Sequence, residues 1–172
     1  MVCTMIITRQ WAMPNSNTFS IKPISEVISR YAVGYGADAF ARNSKIATIT
    51  NDLDTETTAQ FNMDALEFIK VLEDNSLDYF LFDPPYSPRQ VSECYKKMGR
   101  TVNMQSTQSS FWGNIKKEIS KKVKPNGYCL TFGWCSNGVG KTNGFKIVEI
   151  LMVAHGGWHS DTIVTVEKKF NP

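Results

Sequence analysis

Short apolar runs alternate along the chain with stretches whose apolar residues recur every three to four positions, and this alternation predicts an α/β sheet. Residues 23–32 form the first helical stretch, with Ile24, Val27, Ile28 and Tyr31 on one face. Residues 31–36 and 45–50 read as the first two strands, the second running into the acidic turn Asn51-Asp52-Leu53-Asp54. A helix is expected to start at Thr55, with Asp54 as the alternative cap, and another over residues 65–72. Residues 77–82 read as a buried strand, 88–98 as a helix, 101–110 as a Thr/Gln/Ser-rich loop and 111–123 as a basic helix. Pro125-Asn126-Gly127 then turns the chain into a strand at 128–132, and a Gly/Asn loop over 133–144 leads to two last strands, 145–153 and 161–166. The connection His155-Gly156-Gly157-Trp158-His159 suits an antiparallel hairpin at a sheet edge.

Composition narrows the class. At 172 residues, 42% hydrophobic and 12% aromatic, the chain suits one domain over 1–172 with a sizeable core rather than a disordered tail. No apolar run approaches the roughly 18 residues of a membrane span, and residues 1–10 lack the apolar core and cleavage site of a signal peptide. A cytoplasmic protein without a membrane partner is therefore expected. Cys3, Cys94, Cys129 and Cys135 are scattered with no Cys-x-x-Cys pair, so neither a disulfide framework nor a metal site is expected. His155 and His159 have no further ligand candidates near them in sequence. Gly138-Val139-Gly140-Lys141-Thr142 lacks the spacing of a phosphate-binding loop.

The sharpest chemistry lies where the strand at 77–82 ends in Asp83-Pro84-Pro85-Tyr86. Two prolines fix φ and remove two backbone donors, leaving carbonyl acceptors beside the Asp83 carboxylate. An exocyclic amino group needs such acceptors, and Tyr86 offers a face on which a flat base can stack. Arg89, Lys96, Lys97, Arg100, Lys116, Lys117, Lys121, Lys122 and Lys124 all follow this turn, so the mild net charge of +3 is placed where phosphate contact requires it.

This tetrapeptide resembles the (Asp/Asn/Ser)-Pro-Pro-(Tyr/Phe) motif of the amino-directed, S-adenosylmethionine-dependent methyltransferases, and is most similar to that of the N6-adenine DNA methyltransferases. The resemblance implies a Rossmann-like methyltransferase fold, a mostly parallel seven-stranded sheet with a reversed last strand and helices on both faces. It implies S-adenosylmethionine as cofactor and DNA, ahead of RNA, as partner. Asp83 and the Pro84 carbonyl would accept from the target amino group, Pro85 would complete the turn, and Tyr86 would stack on the flipped base. Asp38-Ala39-Phe40-Ala41-Arg42 resembles the family's cofactor motif Asp-x-Phe-x-Gly-x-Gly at Asp38 and Phe40, with Arg42 and Ser44 in the glycine positions. That departure leaves open an altered cofactor loop, weak binding or lost activity.

A carboxylate at the end of the next strand can accept both ribose hydroxyls; similarity to the family favours Asp52, with Asp54 second, and both also fit turn or N-cap roles. Asp64 falls where the family places an acid for the cofactor's adenine amino group, and also where a helix cap is expected. Residues 17–24, including Phe19, resemble the segment that wraps the methionine end of the cofactor. Substrate contact is assigned to a short insert at about 87–124, with Arg89, Lys116, Lys117 and Lys121 as candidates. So small an insert favours loose specificity, a homodimer or a specificity partner. The alternatives are an RNA methyltransferase acting on adenine N6 or guanine N2, and a non-catalytic methyltransferase-like subunit.

Overall fold

A computed structural model describes residues 4–85 and 109–170. Seven strands form one sheet: β1 (Ile6–Trp11), β2 (Gly36–Asp38), β3 (Ile49–Thr50), β4 (Leu77–Phe82), β5 (Val123–Gly133), β6 (Phe145–Ala154) and β7 (Thr162–Lys169), in the spatial order β1-β6-β7-β5-β4-β2-β3. β7 runs antiparallel to both β5 and β6, and every other pairing is parallel. Three helices are described: α1 (Lys22–Tyr31), α2 (Ala65–Val71) and α3 (Ser109–Lys122). This is the expected methyltransferase sheet with its reversed last strand.

The continuous apolar run of β4 is explained by burial on both faces. Tyr79 and Leu81 pack with Ile24, Val27 and Ile28 of α1, while Phe80 and Phe82 pack with Phe68 and Ile69 of α2 and Ile115 and Ile119 of α3. Pro23 sits in the first turn of α1, where its missing N–H costs nothing.

Several sequence expectations are corrected. The strand expected over residues 31–36 is absent from 31–35: α1 persists to Tyr31, and β2 begins only at Gly36. The intervening turn uses Gly34 at φ 98°, where a Cβ would lie 2.5 Å from Asp78 Oδ2, the same oxygen that accepts from Tyr35 N. No helix starts at Thr55, because Asp54 Oδ1 accepts from Glu56 N and Thr57 Oγ1 donates to Asp54 O, closing local turns in place of helical bonds. The chain then returns to form a parallel bridge between Phe61 and Asn51. β1 was not anticipated; all six of its residues are exposed, so it shows no alternation of apolar and polar positions.

From β1, residues 12–17 form a strap that leads from the carboxyl end of β6 toward that of β5. It starts beside Ala154, the residue paired with Trp11, and leads to a 3-10 turn, Thr18–Ser20, whose Phe19 packs on Phe132 near the end of β5. The β5–β6 connection is held by Glu167, whose carboxylate accepts from Val139 N and Gly140 N. Burial pushes that carboxyl above its ordinary value, against the two backbone bonds that lower it. Gly138 is required here, since a Cβ would lie 2.0 Å from Glu167 Oε2.

Lys122 is buried, and its Nζ donates to Leu72 O at 2.8 Å and to Asp74 Oδ1 at 2.6 Å, so it closes the carboxyl end of α2 rather than facing solvent. Lys124 pairs with Asp78 at 2.7 Å. Both sit where Leu77 meets Val123, at the opposite end of β4 from Asp83. Among the described residues, no helix is long and apolar enough to cross a membrane.

Candidate functional site

Parallel register brings the carboxyl ends of three strands together, with Asp38 of β2 beside Thr50 of β3 and Leu81 of β4. The residues that follow, Asn51-Asp52 and Asp83-Pro84-Pro85, therefore open onto the same edge. Ligands of open α/β sheets gather at such an edge.

Asp38 is fully buried. Its Oδ1 accepts from Phe40 N at 2.9 Å, while Oδ2 has no hydrogen-bond partner among the described residues. Burial pushes its carboxyl up to about 8; the Phe40 bond opposes this, and the charges of Asp83 and Asp52 add to it. Three carboxylates thus share one electrostatic neighbourhood. Among the described residues they form no group suited to a metal ion.

Asn51, which sequence reading passed over as a turn residue, holds this edge together. Its Nδ2 donates to Ala39 O and Met63 O, both at 3.1 Å, and its Oδ1 accepts from Met63 N at 3.0 Å. Its main chain meets Asp38 O and Ala41 N. The side chain is buried with both amide hydrogens bonded, so the exits of β2 and β3 and the segment before α2 are locked to one another. An Asn beside an Asp at a strand end was the available signal, but its partners lie 12 residues away on either side.

Asp52 Oδ2 accepts from Arg42 N at 2.8 Å and Oδ1 from Asp54 N at 2.9 Å. Each oxygen keeps a second acceptor position. Asp64 caps α2 by accepting from Leu66 N at 2.9 Å, the cap role that the sequence also allowed. Phe19 is buried against Phe132 just beyond the strap's last residue. Phe40 lies within 5.9 Å of Phe82 and 6.4 Å of Trp112, ring centre to ring centre, and Phe82 lies 6.2 Å from Trp112. These rings form an apolar wall beside Asp38.

Arg42 takes φ 50°, the left-handed conformation that glycine in the resembled motif adopts freely. Ser44 N donates to Ala41 O at 2.7 Å, and no left-handed φ occurs at Ser44, so only the first glycine position carries a backbone demand. Lys116 donates to Asn137 O at 3.1 Å, Lys117 is exposed, and Lys121 pairs with Glu118 at 2.7 Å near the far end of α3. Tyr86, Arg89, the expected helix at 88–98 and most of the expected loop at 101–110 lie outside the described residues. His155 is buried: Nδ1 donates to Ala12 O and Nε2 accepts from Thr162 Oγ1, each at 2.9 Å, an arrangement that fixes the root of the strap.

No protein-family model matches the chain, and no curated protein matches it by sequence. Its fold is that of the methyltransferases with a Rossmann-like sheet. The N-methyltransferase NodS from Bradyrhizobium japonicum WM9 superposes with a TM-score of 0.57 at 9% identity, covering 87% of this chain and 93% of that one. The 1,6-didemethyltoxoflavin-N1-methyltransferase of Burkholderia thailandensis, solved with 1,6-didemethyltoxoflavin and S-adenosylhomocysteine, gives 0.53 at 11% identity over 80% and 71% of the two chains. TrmN from Thermus thermophilus gives 0.53 at 14% identity, covering 87% of this chain and 49% of that one. At these identities the likeness is one of fold.

Proposed function

We propose that the chain is an S-adenosylmethionine-dependent methyltransferase that methylates the N6 amino group of adenine in DNA. The observation that carries this reading is the buried Asp38 Oδ2, without a hydrogen-bond partner among the described residues, at an edge shared with Asp52 and with the Asp83-Pro84-Pro85 turn. A carboxyl held out of water beside two further carboxylates keeps its proton until a cation with hydrogen-bond donors arrives and favours its ionised form. S-adenosylmethionine fits, having an ammonium group and a positively charged sulfur, and when bound it supplies an electrophilic methyl group. Asp38 is assigned to its cationic end, Asp52 to its ribose hydroxyls through the remaining acceptor positions, and Phe40 to the apolar wall that excludes water. Asp64, the cap of α2, is assigned to the adenine end.

Asp83 and the Pro84 carbonyl address the substrate. Accepting both hydrogens of the amino group draws the nitrogen lone pair out of ring conjugation and fixes its direction, so the protein's contribution is positioning. No covalent enzyme intermediate is required. Two of the structural neighbours are named as N-methyltransferases, in keeping with a nitrogen target. The aspartate that opens the Pro-Pro motif favours DNA over RNA. Lys116 and Lys117, nearer the site than Lys121, are assigned to phosphate contact, and a second subunit is assigned part of the recognition. The left-handed backbone of Arg42 favours a working cofactor loop over a non-catalytic subunit.

The test is to incubate purified protein with methyl-labelled S-adenosylmethionine and, separately, duplex DNA, single-stranded DNA and RNA. Label recovered as N6-methyladenine in DNA is expected. Label confined to RNA, or absent from all three, overturns the reading.

A further inference from the structure

Arg42 is held in a left-handed conformation that costs a residue with a Cβ about 1 kcal/mol and costs glycine nothing. Its backbone bond to Asp52 Oδ2 would be made equally well by glycine. What the side chain alone adds is a guanidinium bond to Ser16 O at 3.1 Å, reaching a residue 26 positions earlier. Ser16 lies near the end of the strap, two residues before the 3-10 turn at Thr18–Ser20. The strap is fixed at one end by Ala12 N on Ala154 O and by His155 on Ala12 O, and at the other by Phe19 on Phe132. Between these anchors, the Arg42 bond ties the strap to the β2–β3 loop, which follows Asp38 and donates to Asp52.

We propose that Arg42 is a positioning residue that latches the 12–17 strap across the site and so slows escape of the cofactor. The inference rests on the proposed cofactor reading. One side chain joins the two elements, and its own main chain fixes the Asp52 carboxylate. Strap position and the ribose acceptor are thereby coupled. The bond is exposed, so its effect falls on strap opening rather than on global stability.

Arg42→Gly separates latch from strain, because glycine keeps the backbone and removes only the guanidinium. Hydrogen exchange of the strap in cofactor-free protein should quicken about tenfold in this variant, the effect of one charge-assisted bond, with the thermal midpoint unchanged or raised. S-adenosylhomocysteine should bind about tenfold more weakly, with the change in its dissociation rate. Arg42→Lys, which keeps the charge but not the planar fork, should fall between the two. Wild-type exchange in the strap of Arg42→Gly, or wild-type affinity in that variant, overturns the latch. If the unaltered protein binds no S-adenosylhomocysteine, the functional reading fails instead, and strap exchange alone decides whether Arg42 holds the strap.

Discussion

Replacing Asp38 with Asn should make the cofactor-free protein more stable and its cofactor binding weaker. In the folded chain the Asp38 carboxyl titrates at about 8 against 3.8 for the free group, chiefly through burial. A folded value raised above the unfolded one gives stability that is complete below pH 4 and lost progressively as pH rises to about 8. At pH 7 the unfolded chain is ionised while the folded chain holds the proton, a cost of about 4 kcal/mol from the 3.2 units between 3.8 and 7. Asn is neutral throughout and keeps the carbonyl oxygen that accepts from Phe40 N, so it avoids this cost. The gain should therefore grow by about 3 kcal/mol between pH 5 and pH 7, two units at about 1.4 kcal/mol each. Urea denaturation of both proteins at the two pH values reads this directly. Calorimetry with S-adenosylhomocysteine should show affinity reduced at least tenfold, since a carboxyl that gives up its proton to meet the ligand's ammonium group, in a bond worth roughly 1.5–3 kcal/mol, is replaced by a neutral amide. A variant less stable at pH 7, or a gain that is the same at both pH values, would refute the reasoning.

Asn51→Ala strands Ala39 O, Met63 N and Met63 O without the amide that serves them, and should cost roughly 2–4 kcal/mol, seen as a lowered thermal midpoint; an unchanged midpoint would remove Asn51 from the framework of the site. Neutralising Lys116 and Lys117 together should reduce the slope of log affinity against log salt for duplex DNA by about two units. The same treatment of Lys121 and Lys124, each paired with an acidic neighbour toward the opposite end of the strands, should leave that slope unchanged, and an equal fall would move the nucleic-acid surface there.

What was legible in the sequence was what depends on local order. β4 announced itself because burial on both faces demands an unbroken apolar run, and its exit into Asp83-Pro84-Pro85 needed no tertiary information. Asp38, Asp52 and Asp83 were read in their order along the chain, and parallel pairing makes that order a shared edge. What escaped depends on partners distant in sequence. β1 has no buried face to impose a pattern, and Lys122 reads as a surface lysine until the carbonyls of α2 are placed against it. The helix expected at Thr55 lost to Asp and Thr side chains that satisfy the backbone locally. Arg42 reads as a broken glycine motif, because a sequence shows the residue and not its φ; the backbone there is left-handed with the larger side chain in place.

The most direct measurement is the yield of N6-methyladenine, by mass spectrometry, in duplex DNA incubated with S-adenosylmethionine and either the unaltered chain or Asp83→Ala. The account predicts product from the unaltered chain and none above background from the variant, whose cofactor affinity stays within a few-fold because Asp83 is assigned to the substrate. Product at a near-normal rate from Asp83→Ala, or no product from an unaltered chain that demonstrably binds the cofactor, would contradict it.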